Sequence, residues 1–467
     1  MTEQIKEFKE QGGAATMDPS KLRRWITSRM MTRLSSAELQ AKVHKHAEAQ
    51  RVKSGQGHVV EYFHQIDDGY SHLAAQLLNQ LQQRYDIELR CHLVTESEPA
   101  NLPEPELLLT LSCYDSELIA PHYDLDAPFP RDAAGKHMSP SAEAKHSACA
   151  VMASLDKQNF IEHAAAISAA MWRGDQQTLS ELGRQLGTAT ANQVEQTIAE
   201  GNARRSDLKH YSGAMFYYGG EWYWGVDRLY HLEQRLAEFG LDKSPSQPPI
   251  APRKAEVFGP LQDQGQLTLE IFPSLRSPYT AIVFDRTVAL AEKTGVKLKL
   301  SPVLPMVMRG VPATMEKGKY ILMDTGREAR AAGVPFGPCY DPIGEPTRRA
   351  YSLYRWAVEQ GKAREFISTF IRLAWTERVN TNNDKGLEQV VTEAGLDWSQ
   401  AKGIVGNTDW KALIESNRLS MYELGLWGVP SFRLLDETGD TVMSVWGQDR
   451  LWLIAAEIQK QLKKQHQ

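Results

Sequence analysis

Apolar and polar residues alternate through Leu267-Thr268-Leu269-Glu270-Ile271-Phe272 and again through Val296-Lys297-Leu298-Lys299-Leu300. This period of two is the signature of half-buried strands. Between them a turn at Arg276-Ser277-Pro278 leads into Tyr279-Thr280-Ala281-Ile282, which reads as the start of a helix. The same order occurs earlier in the chain. Val59-Val60-Glu61-Tyr62-Phe63 precedes a turn at Asp67-Asp68-Gly69, then Tyr70-Ser71-His72-Leu73, and a second strand spans Ile87 to Val94. Each stretch therefore opens β-α-β, which implies a parallel strand pair with a right-handed crossover.

Long segments of helical spacing follow, roughly 138–204 and 316–420; Ala350 to Val358 is typical. Each half then closes on a hairpin. The second runs from Ser431-Phe432-Arg433-Leu434-Leu435 to Thr441-Val442-Met443-Ser444-Val445, and the first is tighter, with Gly219-Gly220 at its turn. After the hairpins come Trp224-Gly225-Val226-Asp227-Arg228-Leu229 and Trp446-Gly447-Gln448-Asp449-Arg450-Leu451, which differ at a single position. The chain is expected to be two copies of one module. Trp224 and Trp446 are expected to anchor the last helix of each copy to its sheet.

This pattern predicts four segments. Residues 1–52 form a disordered stretch (1–17) followed by a basic helical arm that carries Lys21, Arg23, Arg24, Arg29 and Arg33. Residues 53–240 form the first copy. Residues 241–265, with Pro245, Pro248, Pro249 and Pro252, form an extended surface linker. Residues 266–467 form the second copy. The arm is expected to pack on the first copy, and an anionic partner is the other use for its charge.

Composition narrows the function classes. A formal charge of -5 speaks against generic nucleic-acid binding. No apolar run is long enough to span a bilayer and the first residues do not resemble a signal peptide, so a cytoplasmic protein with no membrane partner is expected. Cys91, Cys113, Cys149 and Cys339 include no Cys-x-x-Cys, and the 13 histidines show no ligand spacing, so no metal is expected.

The order β-α-β, helical insertion, then Gly428-Val429-Pro430-Ser431-Phe432 before a hairpin resembles the thioredoxin fold of the DsbA-like superfamily. Phe272-Pro273-Ser274-Leu275-Arg276-Ser277-Pro278-Tyr279, Lys319 to Asp324, Gly333-Val334-Pro335-Phe336 and the second hexapeptide extend the likeness. They resemble the branch of 2-hydroxychromene-2-carboxylate isomerases and kappa-class glutathione transferases. The resemblance implies an α/β fold class: two tandem thioredoxin-like domains, each with a helical insertion between the βαβ and ββα halves. It also implies glutathione as cofactor, with Ser277 as the catalytic residue whose hydroxyl stabilises the bound thiolate. Val429 and Pro430, at a cis-proline corner, would pair with the extended peptide. Gln448 and Asp449 would hold its γ-glutamyl end. Arg276, Tyr279 and Arg309 are candidate substrate contacts. In Met308-Arg309-Gly310-Val311-Pro312 the asparagine expected of this branch is missing, which bears on the isomerase activity more than on the fold.

The first copy departs at every chemical position. Asp68-Gly69 stands for Ser277-Pro278, and Gly213-Ala214 stands for Val429-Pro430. It is expected to be a degenerate domain, with Asp67, Asp68 and His72 as a candidate small polar site. The resulting expectation is a glutathione-dependent isomerase or transferase acting on a small organic electrophile, with or without a carboxylate. A non-catalytic peptide-binding module is the alternative. Disulfide exchange lacks the thiols it needs. An intramolecular pseudo-dimer and a homo-oligomer are both open.

Overall fold

The computed structural model describes residues 18–96, 101–102, 104–309 and 314–465. The expected disorder of 1–17 and the Gly310-Val311-Pro312 part of the departing stretch lie outside them. The chain divides into two compact units. One is Ala41–Lys254, and the other joins Ala255–Gln467 to the segment ahead of Ala41.

In the first of these units, β1 (Val59–Gln65) and β2 (Glu88–Val94) are parallel, joined through α3 (Gly69–Ala75) and α4 (Leu78–Arg84). Helices α5 (Pro105–Ile119), α6 (Ala142–Ser154), α7 (Lys157–Arg173), α8 (Gln176–Leu186) and α9 (Ala191–Asp207) follow. The hairpin β3 (Met215–Tyr218) and β4 (Glu221–Trp224) runs straight into α10 (Gly225–Glu238). The sheet order is β2-β1-β3-β4, with β3 antiparallel to β1.

The second unit repeats that order. Strand β5 (Thr268–Phe272) leads through α11 (Pro278–Thr294) to the parallel β6 (Lys297–Leu300). The insertion comprises α12 (Met315–Ala332), α13 (Glu345–Glu359), α14 (Ala363–Thr376), α15 (Asp384–Glu393), α16 (Trp398–Ala401) and α17 (Trp410–Glu423). Strands β7 (Ser431–Leu435) and β8 (Thr441–Trp446) complete a sheet of order β6-β5-β7-β8, and α18 (Leu451–Gln465) closes it. Register agrees as well: Tyr62 opposes Phe216 as Ile271 opposes Phe432, and Met215 opposes Trp224 as Ser431 opposes Trp446. The apolar positions of the alternating strands form each core, with Tyr62, Leu89 and Phe216 in one unit and Leu269, Ile271 and Phe432 in the other fully buried.

Two expectations about organisation are corrected. The basic arm is two helices, α1 (Lys21–Leu34) and α2 (Ala37–Ser54); α2 packs on the first unit, where His44 bonds Glu221 at 2.7 Å, whereas α1 packs on α12, in the unit of the second sheet. Arg24 explains this. It is fully buried and donates to the carbonyls of Asp341 (2.7 Å) and Ile343 (2.6 Å), while pairing with Asp18. Close approach is possible because Gly326 faces the end of α1; a Cβ there would lie 2.3 Å from the Ser35 carbonyl oxygen. The Pro-rich segment is also no free linker. Glu233 accepts from the amides of Ile250 and Ala251, and Arg84 pairs with Asp242. Further on, Asp263 accepts from the amides of Gly265 and Leu267, and Gln459 bonds both backbone groups of Leu261.

Candidate functional site

Helix α11 starts where the sequence places its signals. Ser277 is the N-cap, its hydroxyl accepting from Thr280 N–H at 3.2 Å, and Pro278 follows at the first helical position. The Ser277 Oγ also donates to the Val429 carbonyl at 3.2 Å. That contact joins the turn before α11 to the corner before β7. The Val429–Pro430 bond is cis, the one cis bond among the described residues. Ser277 is 6 % exposed. The structure thus brings Ser277 against the Val429–Pro430 corner.

The remaining candidates are held by the protein itself. Arg276 faces Asp341, with Nε 3.2 Å from Oδ1 and Nη2 3.4 Å from Oδ2. The Nε angle is poor for a hydrogen bond, so the pair is chiefly electrostatic. Arg309 donates to the Leu304 carbonyl, the Tyr422 hydroxyl and the Trp427 carbonyl, at 3.0, 2.9 and 2.9 Å. It ties a loop to the corner region. Tyr279 donates to Asp324 at 2.7 Å, and Asp324, nearly fully buried, also takes Arg327 at 2.6 Å.

Gln448 is 2 % exposed. Its amide nitrogen donates to Glu328 (2.8 Å) and its oxygen accepts from Arg286 (3.2 Å), which also pairs with Glu256. Its side chain therefore bridges two charged residues inside the unit. Residues Gln448–Arg450 form a 3-10 turn and the last helix begins at Leu451. Asp449 is half-buried, and its carboxylate crowds the turn so closely that a Cβ on Gly447 would lie 2.5 Å from Oδ1. The expected anchoring role of Trp446 is refined. Its indole packs on Trp427 (centroids 4.9 Å) and over Gly428, where a Cβ would lie 2.2 Å from Nε1, so it supports the corner before β7.

The first unit has the same frame with other residues at the matching positions. Gly225 N–H donates to the Ala214 carbonyl (2.7 Å) as Gly447 N–H donates to that of Pro430 (3.0 Å), so Ala214 occupies the proline's place, at φ 54°. Asp68 caps α3, accepting from both the amide and the hydroxyl of Ser71 at 2.8 Å. Burial pushes its carboxyl up to about 6. Asp67 pairs with Lys145, while His72 faces the Asp126 carbonyl and Gln76. The three residues expected to form one polar site thus turn to separate partners. Burial also raises the Cys113, Cys149 and Cys339 thiols to about 12, 11 and 11 and holds Cys91 higher still. All four cysteines are free, and none sits at either turn.

The residues missed from sequence are the partners: Asp324, Glu328, Arg286, Asp341 and Arg24. One signal existed. Tyr70 donates to Asp115 at 2.8 Å, as Tyr279 does to Asp324, and both pairs are 45 positions apart. Sliding the chain by the interval between the tyrosines exposes the matching aspartates.

Residues 268–459 match the family model of the DSBA-like thioredoxin domain. No curated protein matches the chain. Among solved structures, a 2-hydroxychromene-2-carboxylate isomerase is 16 % identical, covering 43 % of this chain and 98 % of its own, with a TM-score of 0.37. The cytosolic disulfide reductase DsbM from Pseudomonas aeruginosa is 18 % identical, covering 42 % and 98 %, at 0.33. A probable DsbA oxidoreductase from Streptomyces coelicolor is 17 % identical, covering 42 % and 90 %, at 0.32.

Proposed function

We propose, from the premise that residues 268–459 are a DSBA-like thioredoxin domain, that this domain binds the thiol of glutathione and uses it as a nucleophile on a small electron-poor alkene. The observation that carries the reading is the Ser277 hydroxyl. It stands at the start of α11 where a redox enzyme of this fold needs a thiol, and its proton is directed at the Val429 carbonyl. A serine cannot exchange disulfides, but it can donate a hydrogen bond.

In this mechanism the hydroxyl turns its proton from the Val429 carbonyl to the sulfur of a bound thiolate. The dipole of the 17-residue α11 favours negative charge at the same end. Hydrogen bonds to charged groups contribute about 1.5–3 kcal/mol, which lowers a thiol pKa by roughly one to two units. The thiolate then adds to the alkene: a C–S bond forms and the π pair moves onto the conjugated carbonyl. Rotation about the new single bond, then return of the pair with loss of thiolate, isomerises the substrate. Protonation of the carbanion instead gives a conjugate. Neither outcome needs an oxidant.

The competing reading is a peptide-binding module without catalysis. It draws support from Arg276, Arg309 and Gln448, whose charges and amide are already engaged within the unit. Calorimetric titration with glutathione separates the two. Binding in the millimolar range or tighter is expected, and its absence sinks the glutathione reading. In Ser277→Ala the bound thiol's pKa, read from thiolate absorbance against pH, should rise by roughly one to two units. An unchanged value removes Ser277 from the mechanism.

A further inference from the structure

The outward face of α1 has no part in the reading above. Leu22, Trp25, Ile26 and Met30 stand in solvent there, 68, 49, 52 and 53 % exposed. Their spacing places them on one stripe of the helix, while Arg24, Ser28 and Met31 form the buried face. These four are a third of the large apolar side chains that are exposed among the described residues, so they form a patch rather than ordinary scatter.

Four cations, Lys21, Arg23, Arg29 and Arg33, are interleaved with the stripe, and α1 contains no acidic residue. None of the four has an ion pair among the described residues; Arg29 lies over the Trp25 ring at 4.4 Å. Elsewhere in the unit, arginines such as Arg276, Arg349 and Arg418 are paired with carboxylates. Arg378, exposed and bonded to Thr32 of α1, adds a fifth positive charge.

We propose that this face of α1 binds an anionic lipid surface. A second copy of the chain would bring its own cations against these, and like charges oppose that pairing. Nucleic acid would satisfy the cations and leave Leu22, Ile26 and Met30 in water. A bilayer with acidic headgroups satisfies both sets. The apolar side chains enter the acyl boundary, and the lysine and arginine stems extend to the phosphates. A convex helix needs no groove for this. The buried bonds of Arg24 hold α1 in place beforehand, so little ordering accompanies binding. The association is peripheral, since no helix of the described residues is long and apolar enough to cross a membrane. It departs from the expectation of no membrane partner.

The test is flotation of the full chain with vesicles of phosphatidylcholine alone and with about 30 % phosphatidylglycerol. Binding is expected to the anionic vesicles only, weakening with salt. The triple variant Arg23→Gln, Arg29→Gln, Arg33→Gln should bind about 100-fold more weakly. Trp25→Ser with Ile26→Ser should lose at least about tenfold. All five positions are exposed, and circular dichroism checks that the variants fold. The proposal is overturned by absence of flotation, by equal flotation with neutral vesicles, or by variants that bind like the wild type. It is also overturned by a dimer that the Trp25→Ser, Ile26→Ser change abolishes while no vesicle binding occurs.

Discussion

Removal of the Arg24 guanidinium should loosen the whole second-sheet unit. Arg24 is fully buried, and it supplies hydrogen bonds to two buried carbonyl oxygens, those of Asp341 and Ile343. In Arg24→Ala both acceptors remain buried with nothing in the described structure to replace the donor. An orphaned buried acceptor costs about 1–3 kcal/mol. Two of them, less the desolvation of the guanidinium that the variant no longer incurs, leave a net loss of about 3 kcal/mol. That is roughly a 150-fold rise in the opening constant. Because the chain has two units, a single melting midpoint is ill-defined. Hydrogen exchange read peptide by peptide resolves them. Protection in β5, α11 and β7 should fall by about that factor while β1 and β2 keep theirs. Arg24→Lys retains the charge but has a shorter reach than Nη1, which makes both carbonyl bonds, and lacks the Nη2 that pairs with Asp18, so it should recover less than half of the loss. The Arg276–Asp341 pair, next to Ser277, depends on the same loop, so the glutathione binding proposed above should also weaken, by less than about tenfold. Unchanged exchange in β5 and α11 would refute the reasoning, as would full rescue by lysine.

Four further outcomes are expected. Gly428→Ala should destabilise the second-sheet unit by about 1–3 kcal/mol in urea unfolding, because its Cβ would overlap the Trp446 indole. Gly318→Ala, inside α12 with open space around it, should instead stabilise by about 0.5–1 kcal/mol. Glu328→Ala removes the acceptor of the buried Gln448 amide and should cost about 1–3 kcal/mol, with the Gln448 side-chain NMR signal moving. Acid should unfold the Ala41–Lys254 unit first. Burial holds His64, His72 and His210 neutral, at about 3, 4 and 3, so the unfolded chain binds protons more readily and stability falls as pH drops below about 6.5. Burial of Glu61 is outweighed by its bonds to Arg204 and His92, which hold it at about 2, so a further loss begins below its ordinary range. Asp68 works in the opposite sense, gaining its proton first in the folded state, and offsets part of the loss between about 6 and 4. Circular dichroism against pH that shows the second-sheet unit unfolding first would contradict this.

The frame was legible because it is written in local patterns. Alternation in Leu267 to Phe272, the Ser277-Pro278 cap and the Gly219-Gly220 turn each determine structure within a few residues, and the sheets follow from them. The helix cap at Ser277 and the cis bond at Val429-Pro430 were legible for the same reason. The state of Gln448, Arg276 and Arg309 was not legible. Whether a polar side chain faces a pocket or a partner depends on residues 65 to 120 positions away, such as Glu328, Asp341 and Trp427. Nor does periodicity say where a helix docks. α1 presents a usable buried face, but its target is chosen by Gly326 and by the carbonyls of Asp341 and Ile343, about 300 positions downstream.

That long-range docking bears on how the protein is made and dissected. α1 leaves the ribosome ahead of the Ala41–Lys254 unit, and its acceptors at Asp341 and Ile343 emerge only after that unit is out. The second-sheet unit therefore cannot be finished by its own half of the chain. A fragment cut at residue 266, the boundary that the repeat invites, should expose the two carbonyls and the surface at Gly326 that α1 covers. Supplying α1 as a separate peptide is then the way to make that fragment whole.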